Sequence, residues 1–234
     1  VDEAIKIKEI VLHEKNYIGG EFKLGIIPTV SSIIPLFINK FIKKHPNVNL
    51  KIQELNFNDL TKKVLSGDLD GGITSTPLNN KEINEIPLYY EPFVAYVPIK
   101  NNLSKIKKLK VEDLEYSSIL ILEEKNNFTK QIFKLFSSSN INMNLNTTSF
   151  ETLIQLSDQG FGITLLPYLY TKNFPKERLN KLKLFEEPEP AREISIIYQK
   201  NKLKSPIINA LSKCIEKTSR ENIKSSKINI ISPI

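Results

Sequence analysis

The sequence predicts an α/β protein made of two similar units, each a parallel sheet with helices on both of its faces. Short apolar segments of strand length alternate with longer segments whose apolar residues recur at helical spacing. The first half of the chain runs strand, helix, strand, helix, strand, and the second half repeats this style. Because parallel strands need long crossover connections, usually helices, this order favours parallel sheets. A chain of 234 residues can bury the cores of two such units.

A helix is predicted over residues 1–18, ahead of the first unit. Its apolar residues follow the helical repeat, with Glu and Lys between them. The glycines at 19 and 20 end it, because glycine tolerates the left-handed conformation that closes many helices. An apolar stripe on a helix needs a partner surface, so we expect this segment to take part in self-association.

The first unit is predicted over residues 19–91 together with residues 194–220. Pro46 follows the end of its first helix, Asp59 is expected to cap the second helix, and Gly67 is expected to terminate it. Its predicted strands are residues 22–27, 49–54, 72–74 and 194–198, and its predicted helices are residues 34–42, 60–65 and 207–215.

The second unit is predicted over residues 92–193, and the chain passes between the units near residues 90–92 and 192–194. Thr148 and Glu151 have the spacing of a capping box that opens a helix. Residues 221–234 are polar and are predicted to be a flexible tail. The predicted strands of this unit are residues 93–97, 118–122, 143–147 and 163–166, and a further helix is predicted over residues 129–136.

Composition excludes several classes of site. Cys214 is the only cysteine, so an intramolecular disulfide and a cysteine-based zinc site are impossible, which fits a reducing, cytoplasmic compartment. The net charge is +7, but almost all of the basic residues are lysines, and no helix-turn-helix, zinc-finger or RNA-binding motif is present. We therefore assign no DNA contact to this segment. No apolar run reaches the roughly 20 residues of a membrane span, so no membrane partner is expected.

Four motifs in this order carry a family resemblance. They are Phe-Lys-Leu-Gly-Ile-Ile-Pro-Thr-Val at 22–30, Leu-Ser-Gly-Asp-Leu-Asp-Gly-Gly-Ile at 65–73, Pro-Leu-Tyr-Tyr-Glu-Pro at 87–92 and Gly-Phe-Gly-Ile-Thr-Leu-Leu-Pro at 160–167. Together they resemble the effector-binding domain of LysR-type transcriptional regulators, and most closely its OxyR-type branch, over about residues 10–215.

The resemblance implies the architecture and the partners. It implies a periplasmic-binding-protein-like fold of type II, with two Rossmann-like subdomains joined by two crossovers and a linker helix ahead of them. It also implies a small-molecule effector and a homodimer or tetramer. DNA would be bound through an N-terminal domain absent from this chain, and RNA polymerase is a further expected partner. Subdomains pair side by side in this family, and helices 33–42 and 61–65 are the elements expected at that interface.

The candidate effector site is the cleft where the carboxyl ends of the strands meet. The resemblance implies contacts from the turn at 28–31, from residues 56–58 and from the loop at 127–129. We expect a ligand with a carboxylate or similar oxygen group, because helix N-termini offer hydroxyl and N–H donors there. Ordinary helix capping is the alternative explanation of these polar residues. The predicted site residues are Thr29, Val30, Ser31, Phe57, Thr74, Ser75, Asn127, Phe128, Thr129 and Phe150.

The redox chemistry of the OxyR branch is not expected here. OxyR-type sensors carry Gly-His-Cys in the loop that aligns with Asn-Asn-Phe at 126–128, and their second cysteine aligns near Ser137. Phe57 also replaces a polar residue expected to help hold peroxide. Because the thiolate is the reacting species, a reversible thiol cycle is excluded at these positions. Cys214, on the last predicted helix, is expected to be a buried and inert thiol.

Two alternatives remain open from the sequence. Phe128 either packs against an apolar part of a ligand or plugs an empty cleft. The protein is either a regulatory domain or a free-standing solute-binding protein of the same fold. An enzyme is not expected, because no G-x-S-x-G, Walker A or H-E-x-x-H motif is present, and no cofactor or metal is expected.

Overall fold

A computed structural model gives the fold of the chain for residues 18–123, 127–136, 147, 149–201, 206–224 and 227–233. It contains two α/β units, as the sequence predicts. The predicted helix over residues 1–18, apart from Ile18, lies outside the described residues. The predicted strand over residues 143–147, apart from Thr147, and the position of Ser137 also lie outside them.

In the first unit a central strand has a parallel neighbour on each side. Strand β1 (Gly20–Ile26) lies between β2 (Val48–Glu54) and β3 (Gly71–Thr76). A 3-10 helix (Pro28–Ile33) leads directly into helix α1 (Ile34–Lys44), and helix α2 (Phe57–Ser66) follows β2. Phe37 and Phe41 lie four residues apart on α1, so both face the sheet and are fully buried.

The second unit is built around a short parallel pair, β6 (Ile119–Leu120) and β7 (Ile163–Pro167). Helices α3 (Asn127–Leu135) and α4 (Phe150–Asp158) pack against it. The remaining elements are β5 (Lys108–Leu109), β8 (Leu182–Phe185), the four-residue helix α5 (Lys176–Leu179) and 3-10 turns at Asn102–Lys105, Val111–Leu114 and Tyr168–Thr171.

Two long antiparallel strands join the units. Strands β4 (Ile83–Tyr96) and β9 (Glu189–Gln199) pair from Ile83 opposite Gln199 to Pro92 opposite Ala191. Each strand then continues into a sheet, β9 beside β3 and β4 beside β7, antiparallel in both cases. The expected parallel pairing is found between β1, β2 and β3 and between β6 and β7, but the joining strands run antiparallel to their neighbours. Both sheets are mixed, because the crossover strands carry the chain in opposite directions between the units.

Strand β4 begins ten residues before the predicted start at 93. Pro87 and Pro92 broke the strand pattern in the sequence, since proline cannot donate to a ladder of hydrogen bonds. The structure accommodates Pro87 at an irregularity where Leu88 has no partner in the ladder. After this one-residue irregularity at Leu88, the rest of β4 continues to pair with β9.

Each unit has its own hydrophobic core. Leu24, Ile26, Phe37 and Leu60 lie at the centre of the first, and Phe93, Leu120, Phe128, Leu153 and Leu165 at the centre of the second. Tyr168 packs against both cores. The two cores confirm that the chain folds as two packed units around a shared pair of strands.

Two predicted helix caps are displaced. Asn56, rather than Asp59, caps α2, because its side-chain oxygen accepts a hydrogen bond from the Asp59 backbone N–H at 2.9 Å. Ser149, rather than Thr148, caps α4 and accepts from the Thr152 N–H at 3.4 Å. Each cap lies immediately before the first residue of its helix.

The C-terminal region is more ordered than the sequence suggests. Helix α6 (Pro206–Asn222) runs seven residues beyond the predicted end at 215. Within the segment predicted as a flexible tail, strand β10 (Ile228–Ile230) pairs in parallel with residues 189–191 of β9. Among the described helices, none has the length and apolar character needed to cross a membrane.

Candidate functional site

A cleft of about 290 Å³ opens between the two units. The first unit contributes the end of β1, the start of the 3-10 helix and the N-terminal half of α2. The second unit contributes Glu123, after β6, and Asn127 at the start of α3. The lining residues are Ile27, Pro28, Thr29, Asn56, Phe57, Asn58, Asp59, Lys62, Glu123 and Asn127. Three predicted site residues, Thr29, Phe57 and Asn127, are brought together here.

A buried ion pair lies behind the cleft, on the two strands that join the units. Glu91 of β4 and Arg192 of β9 are direct partners in the ladder, and they are only 1% and 0% exposed. Arg192 donates to Glu91 Oε2 from Nη2 at 2.7 Å and from Nε at 3.1 Å. Two charges so completely removed from water persist only when further hydrogen bonds satisfy them.

Those further hydrogen bonds reach both units. Arg192 Nη1 donates to the Thr29 hydroxyl at 3.0 Å, and Arg192 Nη2 donates to the Thr29 carbonyl oxygen at 2.5 Å. Glu91 Oε1 accepts from the Leu169 backbone N–H at 2.9 Å. The guanidinium also lies 5.0 Å from the centre of the Phe128 ring in the second unit. The ion pair therefore fixes the crossover strands to the cleft wall on one side and to the second core on the other.

Sequence reasoning missed Glu91 and Arg192 as site residues. Both had one usable signal, a charged residue inside an otherwise apolar strand pattern near a predicted crossover. Pairing between residues so distant in the chain cannot be read from either segment alone.

Thr29 and Asn127 point unused polar atoms toward the cleft. The Thr29 hydroxyl accepts from Arg192, so its own hydrogen remains to be donated. Asn127 is 5% exposed, and within the described residues its side-chain amide has no hydrogen-bond partner. An amide at the wall of a cleft can both donate a hydrogen bond to a ligand and accept one from it.

The opposite wall is formed by the first turn of α2. Asn56 and Asp59 satisfy each other there, because Asn56 Nδ2 also donates to Asp59 Oδ2 at 2.7 Å. Phe57 is half-buried beside them. Lys62 lies one turn further along the helix. Within the described part of the chain neither Lys62 nor Glu123 has an ion-pair partner.

The other predicted site residues do not line this cleft. Val30 and Phe150 belong to the two cores, and Phe128 lies 5.2 Å from the rings of both Phe93 and Phe150. Thr74 and Ser75 are fully buried, and their hydroxyls have no partner among the described residues. The hydroxyls of Ser31 and Thr129 donate to backbone carbonyls of Pro28 and Leu122 at 2.9 and 3.1 Å.

The position of Phe128 bears on the two roles that the sequence left open for it, contact with a ligand or a plug of the cleft. Its ring is 1% exposed and fills the core of the second unit against Arg192. A cleft of about 290 Å³ remains in front of it. Phe128 is therefore a core residue here, neither a wall of the cleft nor its plug.

The cleft contains no thiol. Cys214 is on α6, partly buried against α1, with its sulfur 3.9 Å from the carbonyl oxygen of Phe37. Burial raises the pKa of the Cys214 thiol, chiefly by penalising the charged thiolate. Over the described ranges no cluster of three or more His, Cys, Asp or Glu side chains is placed to hold a metal ion.

Comparison with known families and curated proteins gives a consistent result. A family model described as the LysR substrate binding domain matches residues 15–220. A probable hydrogen peroxide-inducible genes activator of Mycobacterium leprae is 28% identical over 209 residues, which are 86% of this chain and 66% of that protein. The DNA-binding transcriptional dual regulator OxyR of Escherichia coli is 26% identical over 203 residues, 84% of this chain and 66% of that protein. The chain thus spans slightly less than two thirds of the length of these relatives.

Solved structures show the same fold. An OxyR mutant from Corynebacterium glutamicum with hydrogen peroxide bound aligns with a TM-score of 0.83 and 19% identity, covering 97% of this chain and 77% of that one. OxyR from Porphyromonas gingivalis aligns with a TM-score of 0.81 and 18% identity, covering 91% and 99%. The type II periplasmic-binding-protein-like architecture is therefore confirmed.

Proposed function

Because the chain belongs to the LysR substrate-binding domain family, we propose that it is the effector-sensing regulatory domain of a DNA-binding transcription regulator. A small molecule bound in the cleft would set the activity of that regulator. The observation that carries the proposal is the cleft itself, whose walls come from both units and include the Thr29 hydroxyl and the Asn127 amide as hydrogen-bonding groups. The role is binding rather than catalysis, in a cytoplasmic protein that acts on DNA.

The proposed mechanism is a shift in the relative angle of the two units. A ligand that contacts α2 on one wall and Asn127 on the other binds the closed arrangement better than the open one, so it draws the population toward closure. The joining strands β4 and β9 bend as the angle changes, and the Glu91–Arg192 pair lies on those strands. Closure of two rigid units about such strands is a known way of carrying a binding event to distant surfaces.

The proposed sensor works without a thiol cycle. The Mycobacterium leprae relative reported above is named a probable activator of hydrogen peroxide-inducible genes. The position at the cleft that would need a thiol is occupied by the Asn127–Phe128 pair, and the one cysteine of the chain is on α6. A disulfide within this chain would require two cysteines and the chain has one, so the signal we propose is a ligand that binds non-covalently.

Self-association forms part of the proposal. Ile42 on α1 is 48% exposed, an unusual position for an isoleucine on a helix that otherwise buries its apolar face. We place a symmetric partner on this helix, together with the residues before β1. DNA contact, and any contact with RNA polymerase, would come from parts of the regulator outside this chain.

A thermal-shift screen tests the binding function. Defined metabolites, grouped as acids, amines, amino acids and neutral compounds, are added to the chain one at a time. We expect at least one to raise the melting temperature, and we expect Asn127→Ala and Thr29→Val to reduce its affinity about tenfold or more, the value of one or two desolvated hydrogen bonds. Asn49→Ala, exposed on β2, is the control that should change nothing. If no compound stabilises the wild-type chain, the proposed sensor role is wrong.

A further inference from the structure

Opposite charges face the cleft from opposite units. Lys62 extends from α2 in the first unit, and Glu123 follows β6 in the second. The two side chains do not form a salt bridge with each other, and neither pairs with any other described residue. The cleft therefore presents a positive charge on one wall and a negative charge on the other to a bound molecule.

The third charged residue at the cleft, Asp59, already has compensating interactions within its own helix. Asp59 accepts from the Asn56 amide at 2.7 Å and lies in the first turn of α2, where the helix dipole favours a negative charge. It is therefore held by its own helix. What remains for a ligand is one positive group on the first unit and one negative group on the second.

The start of α3 adds to the positive side. This nine-residue helix has no acidic residue in its first turn, so its N-terminal N–H groups are not neutralised by a side chain there. Asn127, the first residue of this helix, is only 5% exposed, and its side-chain amide has no hydrogen-bond partner within the described residues. The amide can donate to a carboxylate and can also accept from an ammonium group.

These observations change the ligand expected from the sequence. A compound with carboxylates alone would place a negative charge beside Glu123 without a cation between them. A compound with amines alone would meet Lys62 and the N-terminus of α3. Like charges at a partly desolvated site cost free energy, whereas one charge of each sign is satisfied on both walls.

We propose that the effector is a small zwitterion with one ammonium and one carboxylate group, of the amino-acid class. Its ammonium pairs with Glu123, and its carboxylate pairs with Lys62 and receives hydrogen bonds from the Thr29 hydroxyl and the Asn127 amide. The volume of about 290 Å³ is at the small end of the range for ligand pockets, which suits a molecule of this class. This inference rests on the proposed sensor function.

A matched series of linear compounds tests the charge requirement. The probes are the amino acids from glycine to 6-aminohexanoate, with amino and carboxyl groups at opposite ends, together with the dicarboxylate, diamine and diol of each length. Binding is followed by amide NMR of the chain at constant ionic strength. We expect one of the amino acids to bind at least tenfold more tightly than the diacid, diamine and diol of its length, with shifts at α2 and the start of α3.

Variants that remove one charge at the cleft distinguish a ligand-binding role of Lys62 and Glu123 from a purely structural one. Glu123→Gln should weaken the amino acid about tenfold while leaving the diacid unchanged or improved. Lys62→Gln should do the same to the amino acid while leaving the diamine unchanged or improved. Lys43→Gln and Glu177→Gln, exposed and outside the cleft, are the controls and should alter neither.

The outcomes distinguish a failure of the zwitterion inference from a failure of the proposed sensor function. If a diacid or a diamine binds more tightly than the amino acids, the zwitterion inference is wrong. It is also wrong if no compound of the series binds while a compound of another class binds the cleft in the metabolite screen. In both cases the sensor role stands. A coupling between Lys62 and Glu123 in the ligand-free chain, measured by a double-mutant cycle, would show that they serve each other and would also overturn the inference. If no compound of any class binds, it is the sensor role that fails.

Discussion

Glu91 and Arg192 are two opposite charges with almost no contact with water, placed where the chain passes between the units. Removing either partner leaves the other buried and uncompensated, which typically costs about 3–5 kcal/mol. The geometry adds a second loss, because Arg192 also holds Thr29 by its hydroxyl and its carbonyl oxygen. The pair therefore determines both the stability of the joining strands and the shape of the cleft wall.

We predict that Glu91→Gln lowers the free energy of unfolding by about 3 kcal/mol or more, for the reason just given. Urea denaturation measures the change. Glu221→Gln is the matched control, since it breaks an ion pair with Lys40 that has a similar length of 2.6 Å but lies exposed, and exposed pairs contribute about 0–1 kcal/mol. Equal losses in the two variants would contradict the account.

We predict that hydrogen peroxide leaves the fold and the oligomeric state unchanged at neutral pH. Burial raises the pKa of Cys214, so the reactive thiolate is scarcer than in a free cysteine, and its fraction grows as the pH rises toward that pKa. Intact-mass spectrometry and size-exclusion chromatography before and after treatment check this. A reversible change in assembly that Cys214→Ser abolishes would contradict it.

At the residue scale the sequence predicted some of the residues that line the cleft, whereas others that it predicted for the site lie elsewhere in the structure. Thr29, Phe57 and Asn127 were found because helix starts after buried strands converge on one edge of an α/β sheet. Phe128 and Phe150 pack in the core of the second unit instead, because an aromatic residue beside a helix start packs equally well into a core. Glu91 and Arg192 were missed because their partnership joins positions 101 residues apart.

The elements of the second unit meet at a tight contact between β6 and β7. A side chain at Gly162 would place its Cβ 2.5 Å from the carbonyl oxygen of Ser118, which is a backbone atom and cannot turn away. That same oxygen accepts the Ile163 N–H at 2.8 Å. Gly160, two residues earlier, has a positive φ of 91°, but open space surrounds it.

We predict that Gly162→Ala destabilises the chain more than Gly160→Ala does. The first change forces two strands apart, whereas the second pays only for a left-handed backbone, about 1–2 kcal/mol. Thermal and urea unfolding of both variants give the comparison. If Gly160→Ala were the more harmful, the contact between Gly162 and Ser118 would not be the constraint described here.

The C-terminal strand is the element that sequence patterns could not locate. Residues 228–230 read Ile-Asn-Ile, a segment too short to be recognised as a strand within a polar tail, and the strand forms by pairing with β9. Gln131 of α3 also donates from its side-chain nitrogen to the Ile231 carbonyl oxygen at 2.6 Å. Tertiary contacts of this kind override local propensity.

We predict that Gln131→Leu speeds amide exchange at Ile231, whose N–H donates to the Ala191 carbonyl oxygen at 2.7 Å. Loss of the side-chain donor would loosen the segment from α3 and allow more frequent local opening. Hydrogen-exchange NMR of the Ile231 amide follows it, with Gln155→Leu on the exposed side of α4 as the control. Unchanged exchange in Gln131→Leu would contradict the prediction.

For the whole molecule the proposed function requires self-association, with symmetric pairing the expected form. We predict that the chain sediments as a dimer at tens of micromolar and that Ile42→Lys shifts it toward monomer, because a charge would replace an apolar contact. Ile99→Lys is the matched control on a separate surface, where the isoleucine is 73% exposed. A wild-type monomer under these conditions would count against the paired arrangement.

The overall architecture was the part of the molecule most accessible from the sequence. Alternating periodicities located most helices and strands, and the two cores formed as that pattern implied. The direction of the joining strands was not accessible, because antiparallel pairing of β4 with β9 depends on how two distant segments meet. Those strands carry the ion pair, so the error in strand direction and the omission of Glu91 and Arg192 have one cause.

The central claim is that this domain senses a non-covalent ligand in the cleft rather than an oxidant. Hydrogen–deuterium exchange of the intact chain tests it most directly, with separate samples exposed to a compound found in the metabolite screen and to hydrogen peroxide. The account predicts slower exchange at the start of α2 and of α3 with the compound, and no change there with peroxide. Altered exchange around the cleft with peroxide, and none with any compound, would contradict it.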